Sequence, residues 1–117
     1  MQIEVKGRNC PVTDELRERT EKRFEKVAKQ VSDLARLEVE IIEERNPANP
    51  DAHVAEVTLH LKGVTLRAKE ATRDMDHSIN LVSEEVARQV TRHRDKRRKR
   101  REARSQSTPD SGIQPAL

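Results

Sequence analysis

Residues 55–69 read AEVTLHLKGVTLRAK. Ala55, Val57, Leu59 and Leu61 alternate with Glu56, Thr58, His60 and Lys62; beyond Gly63, Val64, Leu66 and Ala68 alternate with Thr65, Arg67 and Lys69. A period of two puts the apolar residues of each run on one face of an extended strand. Two such runs separated by two residues, one of them Gly, read as a tight β-hairpin. The stretch therefore predicts two antiparallel strands that share one apolar face, and that face needs a cover.

Working upstream, residues 46–52 (NPANPDA) form a loop, because the prolines remove backbone donors and Asn and Asp favour turns. Before it, Leu37, Val39 and Ile41 alternate with Glu38, Glu40 and Ile42, which predicts another strand. Further back, Thr13 followed by Asp14 and Glu15 suits a helix start, since a hydroxyl can cap a free N–H and acids sit well at the positive end of the helix dipole. Leu16, Thr20, Phe24, Val27, Ala28 and Val31 then recur at helical spacing, an amphipathic helix of roughly four to five turns. At the start of the chain Ile3 and Val5 alternate with Gln2, Glu4 and Lys6, and residues 7–11 turn the chain.

Working downstream, Asp74 is placed to cap a last helix in which Met75, Ile79, Val82, Val86 and Val90 fall at steps of three and four. The apolar stripe stops at Val90, while strong helix formers continue to about residue 104. A helix that outruns its stripe is expected to project from the domain. Residues 105–117 (SQSTPDSGIQPAL) have no period and read as a disordered linker or tail.

The expected order is β-α-β-β-β-α, an α+β fold with a four-stranded mixed sheet and two helices on one face, the layout of double-stranded RNA-binding (dsRBD) modules. The first two strands, joined through a helix, should be parallel and the others antiparallel. With 117 residues, the chain holds one domain, 1–104, followed by the 105–117 tail. Phe24 is its single aromatic residue, so the core must be built of Val, Leu, Ile and Ala and is small.

Charge is distributed unevenly. Residues 88–104 carry ten Lys or Arg against the acids Asp95 and Glu102, whereas residues 1–87 carry 14 Lys or Arg against 18 acids. A net charge of +3 thus hides a polarised molecule whose basic end suits an anionic polymer, because clustered cations displace counterions from phosphates. On the first helix most charges pair at i, i+4, as Glu18 does with Lys22 and Glu25 with Lys29, and read as a solvated face. Lys22, Arg23, Lys26 and Lys29 crowd its C-terminal half and could join a larger basic surface.

Several chemistries find no support. Three scattered glycines, at 7, 63 and 112, exclude a Gly-rich phosphate loop. His53 and His60 point to opposite faces of one strand, and His77 and His93 lie far apart on the last helix, so no metal site is expected. The carboxylates sit on exposed faces where nothing would raise their pKa, and Ser83 and Thr91 have no activating partner. We expect no catalytic residues, no cofactor and no small-molecule substrate. Cys10 lacks a companion and reads as a small hydrophobe. No run of 18 apolar residues suggests a membrane span, and no apolar segment follows Met1, so a cytoplasmic protein is expected.

Residues 70–80, EATRDMDHSIN, resemble the E-x-x-x-D-M-Y-x-A-I-D stretch that opens the last helix of the ribosome hibernation promoting factors and the related ribosome-associated inhibitor (YfiA-like) proteins. The opening IEVKGRN, the loop with paired prolines, the hairpin around Gly63 and the basic helix end follow in that family's order, from about residue 2 to 104. The resemblance implies a domain that binds the small ribosomal subunit and its rRNA in the channel used by messenger RNA and transfer RNA anticodon arms. The bound factor would block initiation and store ribosomes inactive under stress or in stationary phase. By the resemblance, RNA contacts map to Arg88, Arg92, Arg94, Lys96, Arg97, Arg98, Lys99, Arg100 and Arg101, with secondary contacts at Lys22, Arg23, Lys26 and Lys29. Asp76 stands where the family has an aromatic ring, and a carboxylate there would repel phosphate. Long family members add a dimerising domain after a flexible linker; this chain is expected to be monomeric, dimerising only if such a domain follows.

Two other readings compete. A double-stranded RNA module shares the element order, but it places its cations at the start of the last helix, where Asp74 and Asp76 stand here. A regulatory protein that docks on another protein would use the basic helix only as a solvated extension. The lack of an aromatic platform argues against base stacking on the sheet or along a single strand.

Overall fold

The computed structural model describes residues 1–113, with side chains through residue 103. Its elements are β1 (Gln2–Arg8), α1 (Asp14–Arg23), α2 (Glu25–Gln30), β2 (Arg36–Glu43), β3 (His53–Leu61), β4 (Val64–Thr72) and α3 (Met75–Ile113). The sheet order is β1-β2-β3-β4, with β1 parallel to β2 and the remaining pairs antiparallel, as the alternation and the helical crossover require.

Register follows the apolar pattern. Ile3, Leu37, Leu59 and Leu66 lie side by side across the four strands, as do Val5, Val39, Val57 and Ala68. Both rows face the helices, where Phe24, Val27, Ile79, Val82, Val86 and Val90 complete a single core. A slip of one residue would turn every one of these strand side chains to the opposite face, which is why the pattern fixes the pairing. The opposite face is not wholly polar: Ile42 and Val54 are cross-strand neighbours there and are buried.

Two glycines are required by geometry. Gly63, at φ +78°, is the second of two hairpin residues between Leu61 and Val64, the position that needs a positive φ in a type II turn. A Cβ on Gly7 would lie 2.1 Å from the Cys10 carbonyl oxygen, so only glycine lets the chain fold back at the end of β1.

Three local expectations change. The first helix is not continuous: it breaks at Phe24, whose φ of −97° and ψ of 6° close α1 and open α2, while its N–H turns back to the Glu21 carbonyl at 3.2 Å. That tightening seats the fully buried ring in the core. Among the described residues the Asp74 carboxylate makes no capping hydrogen bond; instead Thr72 Oγ1 accepts from the Asp74 N–H at 3.1 Å. The hydroxyl of buried Ser78 lies 2.7 Å from that same oxygen and donates to the His53 carbonyl at 2.6 Å, tying the start of α3 to β3 and β4. The α3 backbone is helical to Ile113, beyond the 104 boundary expected for the last helix; residues 114–117 of the expected tail lie outside the described residues.

Candidate nucleic-acid interface

The core stripe of α3 fixes where its cations point. Ile79, Val82, Val86 and Val90 are turned inward, so Asn80, Glu84, Ala87 and Arg88 line the side facing α1 and α2. Between the helices runs a groove of about 480 Å³, in which these residues meet Lys22, Arg23, Lys26 and Lys29, with Glu25 and Ser83 completing the wall. The four first-helix cations and Arg88 are thus brought to one place, although a long stretch of chain separates them.

The same helices are tied together at their N-terminal end. Arg19 Nη1 donates to Asp76 Oδ2 at 2.9 Å, and one turn on in each helix Arg23 Nη1 donates to Asn80 Oδ1 at 3.4 Å. Both members of the Arg19–Asp76 pair are about half exposed, so the pair orients the helices more than it stabilises them. Asp76 is therefore not a bare carboxylate facing the groove; Arg19 offsets its charge.

Past Val90 the exposed surface of α3 is overwhelmingly basic. Arg92, Arg94, Lys96, Arg98, Lys99, Arg100 and Arg101 are all exposed. Arg97 is set apart from the others, since it lines a depression at the end of the sheet with Arg36, His60 and Lys62. The helix therefore still lies beside the sheet at Arg97 and leaves the domain about two turns later than the end of its apolar stripe suggests. Asp95 stands 3.9 Å from Arg98. Nearer the domain, Glu85 accepts from Arg88, Gln89 and Arg92, and the Arg88 and Gln89 hydrogen bonds hold its carboxyl below the usual carboxylate range.

The other side of the molecule mixes its charges. On the face of the sheet away from the helices, Glu4 sits beside Glu38, and Glu40 beside Glu56. Lys6 pairs with Glu4 at 3.5 Å, Arg8 with Glu40 at 2.7 Å and His60 with Glu38 at 3.3 Å. The His60 hydrogen bond lowers the pKa of Glu38. Lys6, Arg8, Arg36, Arg67 and Lys69 are interleaved with these four acids on the same face, so it is salt-laced and close to balanced in charge, without the unbroken run of cations that α3 carries past Val90.

Sequence relationships agree with the fold. The family described as "Sigma 54 modulation protein / S30EA ribosomal protein" matches residues 3–98. The chain belongs to this family. Among relatives, it is 32% identical over 97 residues to a ribosome hibernation promotion factor of Picosynechococcus, covering 82% of this chain and 50% of that one. It is 30% identical over 96 residues to the ribosome hibernation promoting factor of Salmonella typhimurium, and 29% identical over 96 residues to that of Escherichia coli K12; each match covers 82% of this chain and 96% of the relative. The chain thus spans half the length of the cyanobacterial relative and nearly all of the two enterobacterial ones. Two solved structures share the fold: the Thermus thermophilus Protein Y N-terminal domain, with a TM-score of 0.69 at 23% identity over 80% of this chain and 99% of that one, and a Coxiella burnetii ribosomal subunit interface protein, with a TM-score of 0.65 at 18% identity over 81% and 99%.

The family match contains Lys22, Arg23, Lys26, Lys29 and the basic run from Arg88 through Arg98; Lys99, Arg100 and Arg101 lie beyond it. Reasoning from the sequence missed Asn80 and Glu84 as groove-side residues, Arg19 as the partner of Asp76 and Glu85 as the partner of two arginines. Spacing alone carries a trace of the last, since Arg88 and Gln89 follow Glu85 at i+3 and i+4. Among the described residues no group of three His, Cys, Asp or Glu side chains could hold a metal ion, and no helix is long and apolar enough to cross a membrane.

Proposed function

We propose that this chain is a ribosome hibernation factor, which binds the small subunit through its helical face and occupies the decoding channel. Residues 1–104 form the ribosome-binding unit and residues 105–117 a linker or tail. The reading rests on one observation above the others: the groove cations and the basic end of α3 are concentrated on the helical side, whereas the cations of the opposite sheet face are interleaved with acids. Family membership supports the ribosome as the partner, because the named relatives are hibernation factors. A long helix studded with Arg and Lys can follow an rRNA backbone and fill a channel made for messenger RNA and anticodon arms, and blocking that channel inactivates the ribosome by occlusion. No covalent step is needed, and the protein acts in the cytoplasm.

The test is sedimentation of the purified protein with small subunits, with and without initiator transfer RNA. Wild type should co-sediment and be displaced by the transfer RNA. Replacing Arg97, Arg98, Arg100 and Arg101 with Glu should abolish co-sedimentation while leaving the thermal melt in place. Simultaneous binding of transfer RNA and protein would overturn occlusion of the channel. Undiminished binding by the fourfold variant would overturn the electrostatic account. A double-stranded RNA module is the less favoured reading, since the α3 start carries Asp74 and Asp76 instead of cations.

A further inference from the structure

Arg88 stands at a junction on α3. It lines the groove with Lys22, Lys26 and Lys29, and it also lines the adjoining outer surface with Thr91 and Arg92. Its guanidinium, however, is already engaged. Nε and Nη2 both donate to Glu85 Oε2, at 3.1 and 2.8 Å, which occupies one of the two edges with which a guanidinium can grip a phosphate by parallel bonds. Arg92 Nη2 donates to the other carboxylate oxygen, Oε1, at 3.4 Å.

The acid is itself held in place. Gln89 Nε2 donates to Glu85 Oε1 at 3.3 Å and to the Arg67 carbonyl of β4 at 2.8 Å, linking the carboxylate to the sheet edge. At 29% side-chain exposure Glu85 is less open to solvent than the arginines it binds. Screening is weaker for a partly buried charge than for a fully solvated one.

We propose that Glu85 is a built-in competitor for RNA phosphate, which withholds Arg88 and Arg92 from arbitrary polyanions. The inference rests on the RNA-binding reading above and adds to it a residue that no count of cations would single out. An arginine closed on a carboxylate presents little net charge with which to neutralise a phosphate and release the counterions condensed on it, so it adds little to generic attraction until the carboxylate is moved aside. A passing RNA that offers only one or two phosphates leaves the pair closed. The consequence is less protein retained on the cell's abundant RNA.

The experiment measures binding of the full chain to a short RNA duplex of arbitrary sequence across a potassium chloride series. Glu85→Gln keeps the size and loses the charge. Its plot of log affinity against log salt should steepen by about 0.9 for each arginine released, up to roughly 2 in all, with tighter binding at low salt. Glu56→Gln removes the same charge from the sheet face and should leave the slope at the wild-type value. Adding Arg88→Ala and Arg92→Ala to Glu85→Gln should return the slope to that of wild type. A wild-type slope for Glu85→Gln, or equal steepening by Glu56→Gln, overturns the inference while leaving the ribosomal reading intact. A wild-type protein that binds neither duplex nor small subunits overturns both.

Discussion

Two segments of one helix, residues 75–90 and 91–103, are held by different physics. In the first, Ile79, Val82, Val86 and Val90 are buried against β3 and β4, and tertiary packing enforces the helix. In the second no side chain is buried, and Arg94 with Arg98, Lys96 with Arg100 and Arg97 with Arg101 place like charges one turn apart, each pair costing a few tenths of a kcal/mol. The first segment is helical because the domain is folded. The second is helical by propensity, against its own repulsion, and a phosphate strand laid along it would relieve that repulsion. Packing is thus concentrated in one part of a single backbone and, Arg88 apart, its candidate RNA contacts in the other.

The largest test of this division is Val86→Asp. An unpaired carboxylate at this fully buried position costs at least about 3–5 kcal/mol, a large share of a small domain's stability, so circular dichroism should show loss of the cooperative melt. Reversing the charge at exposed Arg98, by Arg98→Glu, should leave that melt in place; if it collapses too, the two segments are not independent. Next comes salt. Binding to small subunits should fall roughly a thousandfold or more between 50 and 200 mM salt if six or more phosphates are contacted, while the melt barely moves; a flat titration would indicate protein docking instead. Lys96→Pro is a smaller perturbation. It should cost about 3 kcal/mol of local helix, seen as lost amide protection beyond residue 92, with the global melt changed by about 0.5 kcal/mol or less.

The smallest effect lies at the boundary. Arg88, and after it Gln89, hold Glu85 below the usual carboxylate range. A depressed carboxylate contributes stability that is complete above its ordinary pKa and is lost as pH falls through the depressed value. Arg88→Ala should therefore raise the Glu85 titration midpoint, followed by carboxyl-carbon NMR, and flatten the acid limb of stability. An unmoved midpoint would mean that the pair is open in solution.

Much of the fold is legible in the sequence because strand alternation is local. Residues 55–69 carry both the period and the turn, and the observed pairing of Leu61 with Val64 follows from them. The break at Phe24 is hidden, since the spacing of Leu16, Thr20, Phe24 and Val27 passes through it undisturbed. For the site, composition shows which residues are cationic but not which of them meet. Arg19 and Asp76 are 57 residues apart, and the groove exists only once α1 and α2 lie against α3. Glu85 was visible as one acid among many; its importance comes from where Gln89 anchors it.

The strand order, which follows chain order from β1 to β4, also bears on how the domain assembles. The meander β2-β3-β4 closes only the loop at residues 44–52 and the two-residue turn at 62–63, so little chain entropy stands against it. β1 must instead be brought to β2 across α1 and α2, the longest closure in the sheet. That parallel pairing is the costliest closure in the sheet; of the two edge strands, β4 is held under α3, so β1 is expected to open first when the native state fluctuates.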